Sequence, residues 1–284
     1  MKTMNKILIV VIVILLIGLF IYNKNYIYSK LYENKRYKIA VIIHGYAPRS
    51  FKYTYKSIQE NIINKLNTKH EVDVYHYSLL SKNNKINSSR IEEFDINIDN
   101  NDVNLLKCNK IETEFQENLN LYSNITCTNY KDKNMNLNFM RSINSELECM
   151  KRFPINKYDM CVMVSSDSFI LKSINEQEIK DSYISNCVYT TNFNQWGGLA
   201  NGFYIAPPNI LHKICTRYHD FPNWCSKNIN KNAEQFLKAV VNAHNIENKD
   251  SNMYYLKIRA TGKSNHYINL IDNYDIKNKD KIKE

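Results

Sequence analysis

The sequence predicts an α/β domain, a mostly parallel sheet flanked by helices, preceded by a transmembrane helix. Three observations predict it. Short continuous apolar runs of strand length recur along the chain, as in strands buried on both faces. Stretches with apolar residues at helical spacing alternate with them, the order of βαβ units. Residues 7–23 carry no charged side chain, and 7–22 read ILIVVIVILLIGLFIY.

Those seventeen residues span about 25 Å as a helix, enough for a thin bilayer with Tyr22, Tyr26 and Tyr28 near its interface. A cleaved signal peptide would need small residues near its cleavage site, where Leu19, Phe20, Ile21 and Tyr22 stand. A buried core helix is the third reading, and an all-apolar run without a polar face fits it poorly. The expected organisation is a tail (1–6), an anchor (7–23), a Tyr/Lys-rich stalk (24–37), an α/β domain (38–270) and a charged tail (271–284). Lys and Arg counts put the bulk of the chain in the cytosol, whereas short-tailed anchors usually keep the N-terminus inside. The sequons at Asn87 and Asn124 suit a luminal, glycosylated domain. The expected placement is a single-pass type II protein with a luminal domain, in an ER/Golgi-like or viral/host membrane.

Residues 39–43 (IAVII) read as a buried parallel strand. Residues 51–66 follow as a helix with Ile58, Ile62, Ile63 and Leu66 on one face, and 72–77 (VDVYHY) as a second strand. Residues 81–110 are polar and irregular, a long surface insertion that is either a lid over a binding site or a solvated loop. Leu137, Met140, Ile143, Leu147 and Met150 repeat at helical spacing as core positions. Residues 158–164 (YDMCVMV) form another buried strand, ending at Ser165-Ser166-Asp167-Ser168. Further strands are expected at 187–190, 202–206 and 253–259, and helices at 207–218 and from Asn232 through Val241.

Composition excludes several functions. The 284 residues carry a net charge of +10, but residues 1–38 hold +6 of it, leaving +4 on the rest. No basic stripe interleaved with aromatics is present, so nucleic acid is not an expected partner. The six glycines cannot write a G-x-G-x-x-G loop, a Walker A loop or a G-x-S-x-G elbow. This argues against dinucleotide dehydrogenases, P-loop enzymes, α/β-hydrolases and phosphate-loop sulfotransferases. The cysteines form no C-x-x-C pair. Cys161 and Cys187 sit in apolar strands as core residues, while Cys108 with Cys127 and Cys215 with Cys225 could pair in an oxidising compartment.

Open α/β sheets bind ligands beyond the carboxyl ends of their strands. After the first strand come His44, Gly45 and Arg49. The glycine permits close backbone approach, and an arginine there can grip a diphosphate bidentately. The plainer reading is an arginine paired with an acidic neighbour at a turn. Ser166 and Asp167 end the second buried run, and a carboxylate among hydroxyls suits Mg²⁺ or Mn²⁺. The plainer reading there is an N-cap or turn.

The run 43–58 (IHGYAPRSFKYTYKSI) resembles the opening of a family of GT-A-like glycosyltransferases. Residues 158–167, 197–205 (GGLANGFYI), 233–237 (AEQFL) and 258–262 (IRATG) match it in the same order. The resemblance implies a GT-A-like (Rossmann-like) fold and a sugar transfer from a nucleotide-sugar donor to a glycan, glycoprotein or glycolipid acceptor. It implies Arg49 near the nucleotide and Asp167 at the metal position, holding Mn²⁺ or Mg²⁺ with His266. Glu234 would be the general base, and Trp196, Gly197, Gly198 and Asn201 would face the sugar or acceptor. For Glu234 the plainer reading is a first-turn helix carboxylate, and for Trp196 a packed loop residue. Two positions depart from the family: Ser165, where it usually has Arg, and Gly202, where it commonly has Asp. The alternative function is a silent relative of the fold, a membrane-anchored carbohydrate-binding or structural protein.

Overall fold

The computed structural model describes residues 13–15, 18–19, 35–86, 93–122, 133–227 and 232–264. The chain divides into residues 1–36 and a larger unit, 37–284. Most of the expected anchor and of the stalk lies outside the described residues, as do both sequons, Cys127, His266 and the charged tail. Residues 13–15 and 18–19 are helical, with Val13, Ile14, Leu15 and Leu19 exposed. Among the described residues no helix is long and apolar enough to cross a membrane.

The larger unit is an α/β layer structure around a seven-stranded sheet. Its centre is the pair β1 (Lys38–Gly45) and β6 (Met160–Ser165), parallel and in register from Ile39↔Met160 to His44↔Ser165. Both strands are apolar almost throughout because helices cover both of their faces. β2 (Glu71–Leu80) pairs parallel on the other side of β1, and β5 (Lys110–Phe115) parallel beyond it. β9 (Phe203–Ala206) runs antiparallel to β6 and to β8 (Val188–Thr191), and β10 (Asn248–Ser251) closes the edge parallel to β8. The mostly parallel sheet read from the sequence is therefore present, with β9 as its reversed member.

Alternate side chains of the central strands feed two cores. Ile39, Val41, Ile43, Val162, Val164 and Ile205 pack with Phe51 and Ile58 of α1 (Ala47–Ile58) and Ile179 of α3 (Glu176–Ser185). Ala40, Ile42, Cys161, Met163 and Tyr204 pack on the opposite face. Their partners there are Cys149 of α2 (Lys133–Arg152), Leu211 and Ile214 of α4 (Pro208–Cys215), and Leu237 of α6 (Ala233–Ala243). A third cluster joins Phe139 and Ile143 of α2 to Phe236 of α6 and to Phe221 and Trp224 of α5 (Phe221–Lys227).

Helix ends follow local chemistry. Pro48 sits at the start of α1, where its missing N–H costs nothing. α1 continues through a π-turn (Gln59–Ile63) into a last helical turn, Asn64–Asn67. Asn232 and Gln235 form a reciprocal capping box on α6. Two small antiparallel pairs complete the fold: β3 (Lys85–Ile86) with β4 (Ile96–Asn97), and β7 (Ser168–Ile170) with β11 (Tyr255–Lys257).

Three expectations are corrected. Residues 81–110 are not a surface insertion throughout: Val103 and Leu106 enter the main core, and Glu93 is fully buried. Cys108 and Cys215 are free thiols while Cys225 is disulfide-bonded, so neither expected pairing forms. The expected helix over 207–218 ends at Cys215 and passes through a 3-10 turn, Thr216–Asp220, into α5. Cys161 and Cys187 are core residues, as their strands imply.

Candidate active site

The chain runs from β1 outward through β2 to β5, then returns to β6 on the other side of β1. That reversal is a topological switch point, and in open α/β sheets ligands bind at such a point, here beyond the carboxyl ends of β1 and β6. The His44↔Ser165 register sets the two ends level. Gly45 takes φ +113°, and a Cβ there would press on Ser166 Oγ at 3.3 Å. Thr54 of α1 donates to the Ser166 carbonyl at 2.6 Å, and the Ser166 amide to the His44 carbonyl at 2.8 Å. The turn carrying Asp167 is thereby fixed to the first strand and helix.

Four charged side chains meet there. Arg49, in the first turn of α1, grips Glu93 with two hydrogen bonds, Nε–Oε1 at 2.7 Å and Nη2–Oε2 at 2.5 Å. Its Nη1 stands 3.9 Å from Asp167 Oδ2. Lys257 Nζ donates to Asp167 Oδ1 at 2.7 Å, to Ser168 Oγ at 3.2 Å, and to Ser165 Oγ. Ser165 Oγ in turn donates to Asp167 Oδ1 at 2.9 Å. Backbone bonds hold this geometry: the Ile258 amide donates to the Asp167 carbonyl at 2.8 Å, and the Ala260 amide to Glu93 at 2.9 Å.

Burial alone would raise the Asp167 carboxyl, but Lys257 and then Arg49 hold it below the usual carboxylate range. Burial would likewise weaken the Arg49 charge, and Glu93 more than restores it. Asp167 and Lys257 keep 20% and 22% of their side chains exposed, so the cluster faces solvent.

Glu234 lies in the first turn of α6, within electrostatic reach of Lys257. Burial raises its carboxyl above the ordinary value, against the pull of its own amide and of Lys257. The loop before β9 rests on this turn. The Leu199 amide donates to the Glu234 carbonyl at 2.9 Å, and Asn232 Nδ2 to the Trp196 carbonyl at 3.0 Å. A Cβ on Gly198 would lie 2.0 Å from that same Glu234 carbonyl, so no side chain fits. Gly197 takes φ +80° beside Gln235, and Trp196 is 61% exposed. The Asn201 carbonyl accepts from Tyr255 Oη at 3.0 Å.

The sequence-predicted residues thus divide. Gly45, Arg49, Ser166 and Asp167 come together at the switch point, and Glu234 is joined to Trp196, Gly197 and Gly198 through the loop. His44 lies beneath, 1% exposed, its pKa lowered by burial to about 4 and its ring neutral. Neither of its ring nitrogens has a hydrogen-bond partner among the described residues. For Arg49 the plainer reading, a pairing with an acidic neighbour, is realised by Glu93.

Sequence reasoning missed Glu93 and Lys257. Nothing in an Asn-rich insertion marks Glu93. Lys257 could have been found by asking which residue of the last strand faces the Ser165–Ser168 turn. It also missed an ion pair inside the domain: Glu146 of α2 and Arg217 lie 2.5 Å apart, each 1% exposed. Arg217 also donates to Tyr204 Oη at 3.2 Å, and that hydroxyl accepts the Gly202 amide at 3.3 Å.

A divalent cation does not fit the described residues at Asp167. One oxygen already carries an ammonium and the other faces a guanidinium. Among the described residues no group of three or more His, Cys, Asp or Glu side chains is placed to hold a metal ion. No family model matches the chain, and no curated protein matches it.

Proposed function

We propose that this chain is a membrane-anchored glycosyltransferase of GT-A-like fold, moving a sugar from a nucleotide-sugar donor to a glycan, protein or lipid acceptor. The observation that carries the reading is the cluster of Arg49, Asp167 and Lys257 at the β1–β6 switch point, with the Glu234 carboxylate in electrostatic reach. The sheet order, with β9 alone reversed against its neighbours β6 and β8, supports the GT-A-like reading. Arg49 and Lys257 suit the donor's phosphates. In an inverting transfer the bond from the anomeric carbon to the phosphate oxygen breaks, and the nucleoside diphosphate leaves with the electron pair. The acceptor oxygen bonds to that carbon, and Glu234 takes its proton; a carboxylate raised by burial is a better base than an exposed one. Trp196, exposed on its Gly-flanked loop, offers a ring face for a sugar.

The exposed apolar side chains of residues 13–15 and 19 support the anchor. The Cys225 disulfide supports a luminal, oxidising location. A second reading, the silent relative, is favoured by one observation: Arg49 and Asp167 each already have an ionic partner in the chain, Glu93 and Lys257.

The test is thermal stabilisation of the full chain by a panel of UDP-, GDP- and CMP-sugars, with Mn²⁺ and with EDTA. Stabilisation by one nucleotide class, lost in Asp167→Asn, is the expected result. A folded protein that no donor stabilises in either condition would reject the transferase reading in favour of the silent relative.

A further inference from the structure

Lys257 stands where a cation on Asp167 would stand. β11 pairs with β7 so that Lys257 lies opposite Ser168, one residue beyond Asp167. Its ammonium is surrounded by Asp167 Oδ1 and the hydroxyls of Ser165 and Ser168. The backbone makes room for it. Gly202 takes φ +93°, and a Cβ there would lie 3.1 Å from both Lys257 Nζ and Ser165 Oγ. On the other side of Asp167, Arg49 is fixed by the fully buried Glu93.

A divalent ion entering this position would have to displace the ammonium and sit beside the guanidinium. Like charges at 3–4 Å repel strongly in a partly dry site. The carboxylate supply is also short, because Glu93 already binds Arg49 and the Ala260 amide. The outward groups of the cluster are the two cations, each about one fifth exposed, while Glu93 is wholly inside. The longest of the three ammonium hydrogen bonds, 3.2 Å to Ser168 Oγ, is the one a phosphate oxygen can most easily replace.

We infer that Lys257, oriented by Asp167 and seconded by Arg49, is the resident cation of this site and binds a nucleoside diphosphate without a divalent metal. The inference rests on the transferase reading and deepens it. Asp167 then acts as a positioning residue for Lys257 instead of a metal ligand. The two cations offset the charge that develops on the departing diphosphate.

The experiment is calorimetric titration of UDP, GDP and CDP into the full chain, in EDTA and in Mn²⁺, for wild type, Lys257→Met, Lys257→Arg and Asp167→Asn. Folding of each variant is checked by its thermal melt. One nucleotide should bind equally well in EDTA and in Mn²⁺. A charge-assisted phosphate contact contributes about 1.5–3 kcal/mol, so Lys257→Met should weaken binding roughly 10- to 100-fold, with partial recovery in Lys257→Arg. Binding that requires Mn²⁺, or that is unchanged or tighter in a folded Lys257→Met, overturns the inference and leaves the transferase reading standing. Binding of none of the nucleotides in either condition overturns both. Should Lys257→Met fail to fold, the wild-type comparison of EDTA with Mn²⁺ and the Lys257→Arg variant decide.

Discussion

Two of this domain's ion pairs are of nearly equal length but differ in exposure. Glu146–Arg217 spans 2.5 Å with 1% of each side chain exposed, and Asp167–Lys257 spans 2.7 Å with about a fifth exposed. His44 lies within electrostatic reach of both. The inner pair joins α2 to the turn after α4 and, through Tyr204, to the backbone at Gly202. The outer pair joins two strand ends and faces water. The contrast is one of desolvation. A pair sealed from water punishes the loss of either partner, because the survivor keeps a buried, uncompensated charge. A pair that water reaches is worth little to the fold and is free to exchange partners with a ligand.

The sharpest test of that contrast is the inner pair. Arg217→Met or Glu146→Gln should each cost about 3–5 kcal/mol of stability, read by denaturant titration. The double variant Glu146→Leu/Arg217→Met should recover much of the loss. Singles that cost no more than surface changes would erase the distinction between the pairs.

His44 provides the next largest effect. Its folded pKa, about 4, lies below the ordinary value of 6.5, so the unfolded chain binds the extra proton first. Stability therefore falls as pH drops from 6.5 to 4, by on the order of 3 kcal/mol from this group. His76, lowered to about 3 by burial, adds to the same acid slope. His44→Leu should flatten the stability profile across that window, and an unchanged slope would count against a neutral buried ring.

Gly202→Ala comes third. A side chain at φ +93° and 3.1 Å from Lys257 Nζ should cost about 1–3 kcal/mol. The smallest stability effect belongs to the outer pair: Asp167→Asn should change the unfolding free energy by under about 1 kcal/mol at pH 7 while weakening nucleotide binding by no more than Lys257→Met does. Because the Asp167 carboxyl is lowered, its contribution exists above its unfolded pKa of about 3.9 and fades as pH falls through the native value. A large loss of melting temperature in Asp167→Asn would make the outer pair a structural one as well.

The strands at the centre were readable because burial on both faces forces runs such as IAVII and MCVMV, and α1 because its apolar residues follow one face. The edges were not. β5 (KIETEF) is half-exposed along its length, and β10 (NKDS) has no apolar residue, so neither carries a periodic signal. α3 has Ile179 alone among its buried residues as an apolar anchor, too little for a stripe. At the site, Arg49 and Asp167 were legible because strand ends are places where ligands bind. Glu93 and Lys257 were not, since each depends on a contact 44 to 90 residues away in sequence. Pairing across such distances is set by topology and leaves no local pattern.

The contact of Gly198 with the Glu234 carbonyl has a mechanical consequence. Two hydrogen bonds and a backbone-on-backbone contact couple the Trp196 loop to the first turn of α6. The backbones of Trp196 and Glu234 behave as the two arms of one caliper, their separation set by main-chain contacts. A substrate that needs a wider gap cannot be accommodated by swinging the loop alone; the whole first turn of the helix has to travel with it. On the proposed transferase reading, selectivity measured across acceptors of increasing size should then show a sharp cutoff in place of a gradual decline.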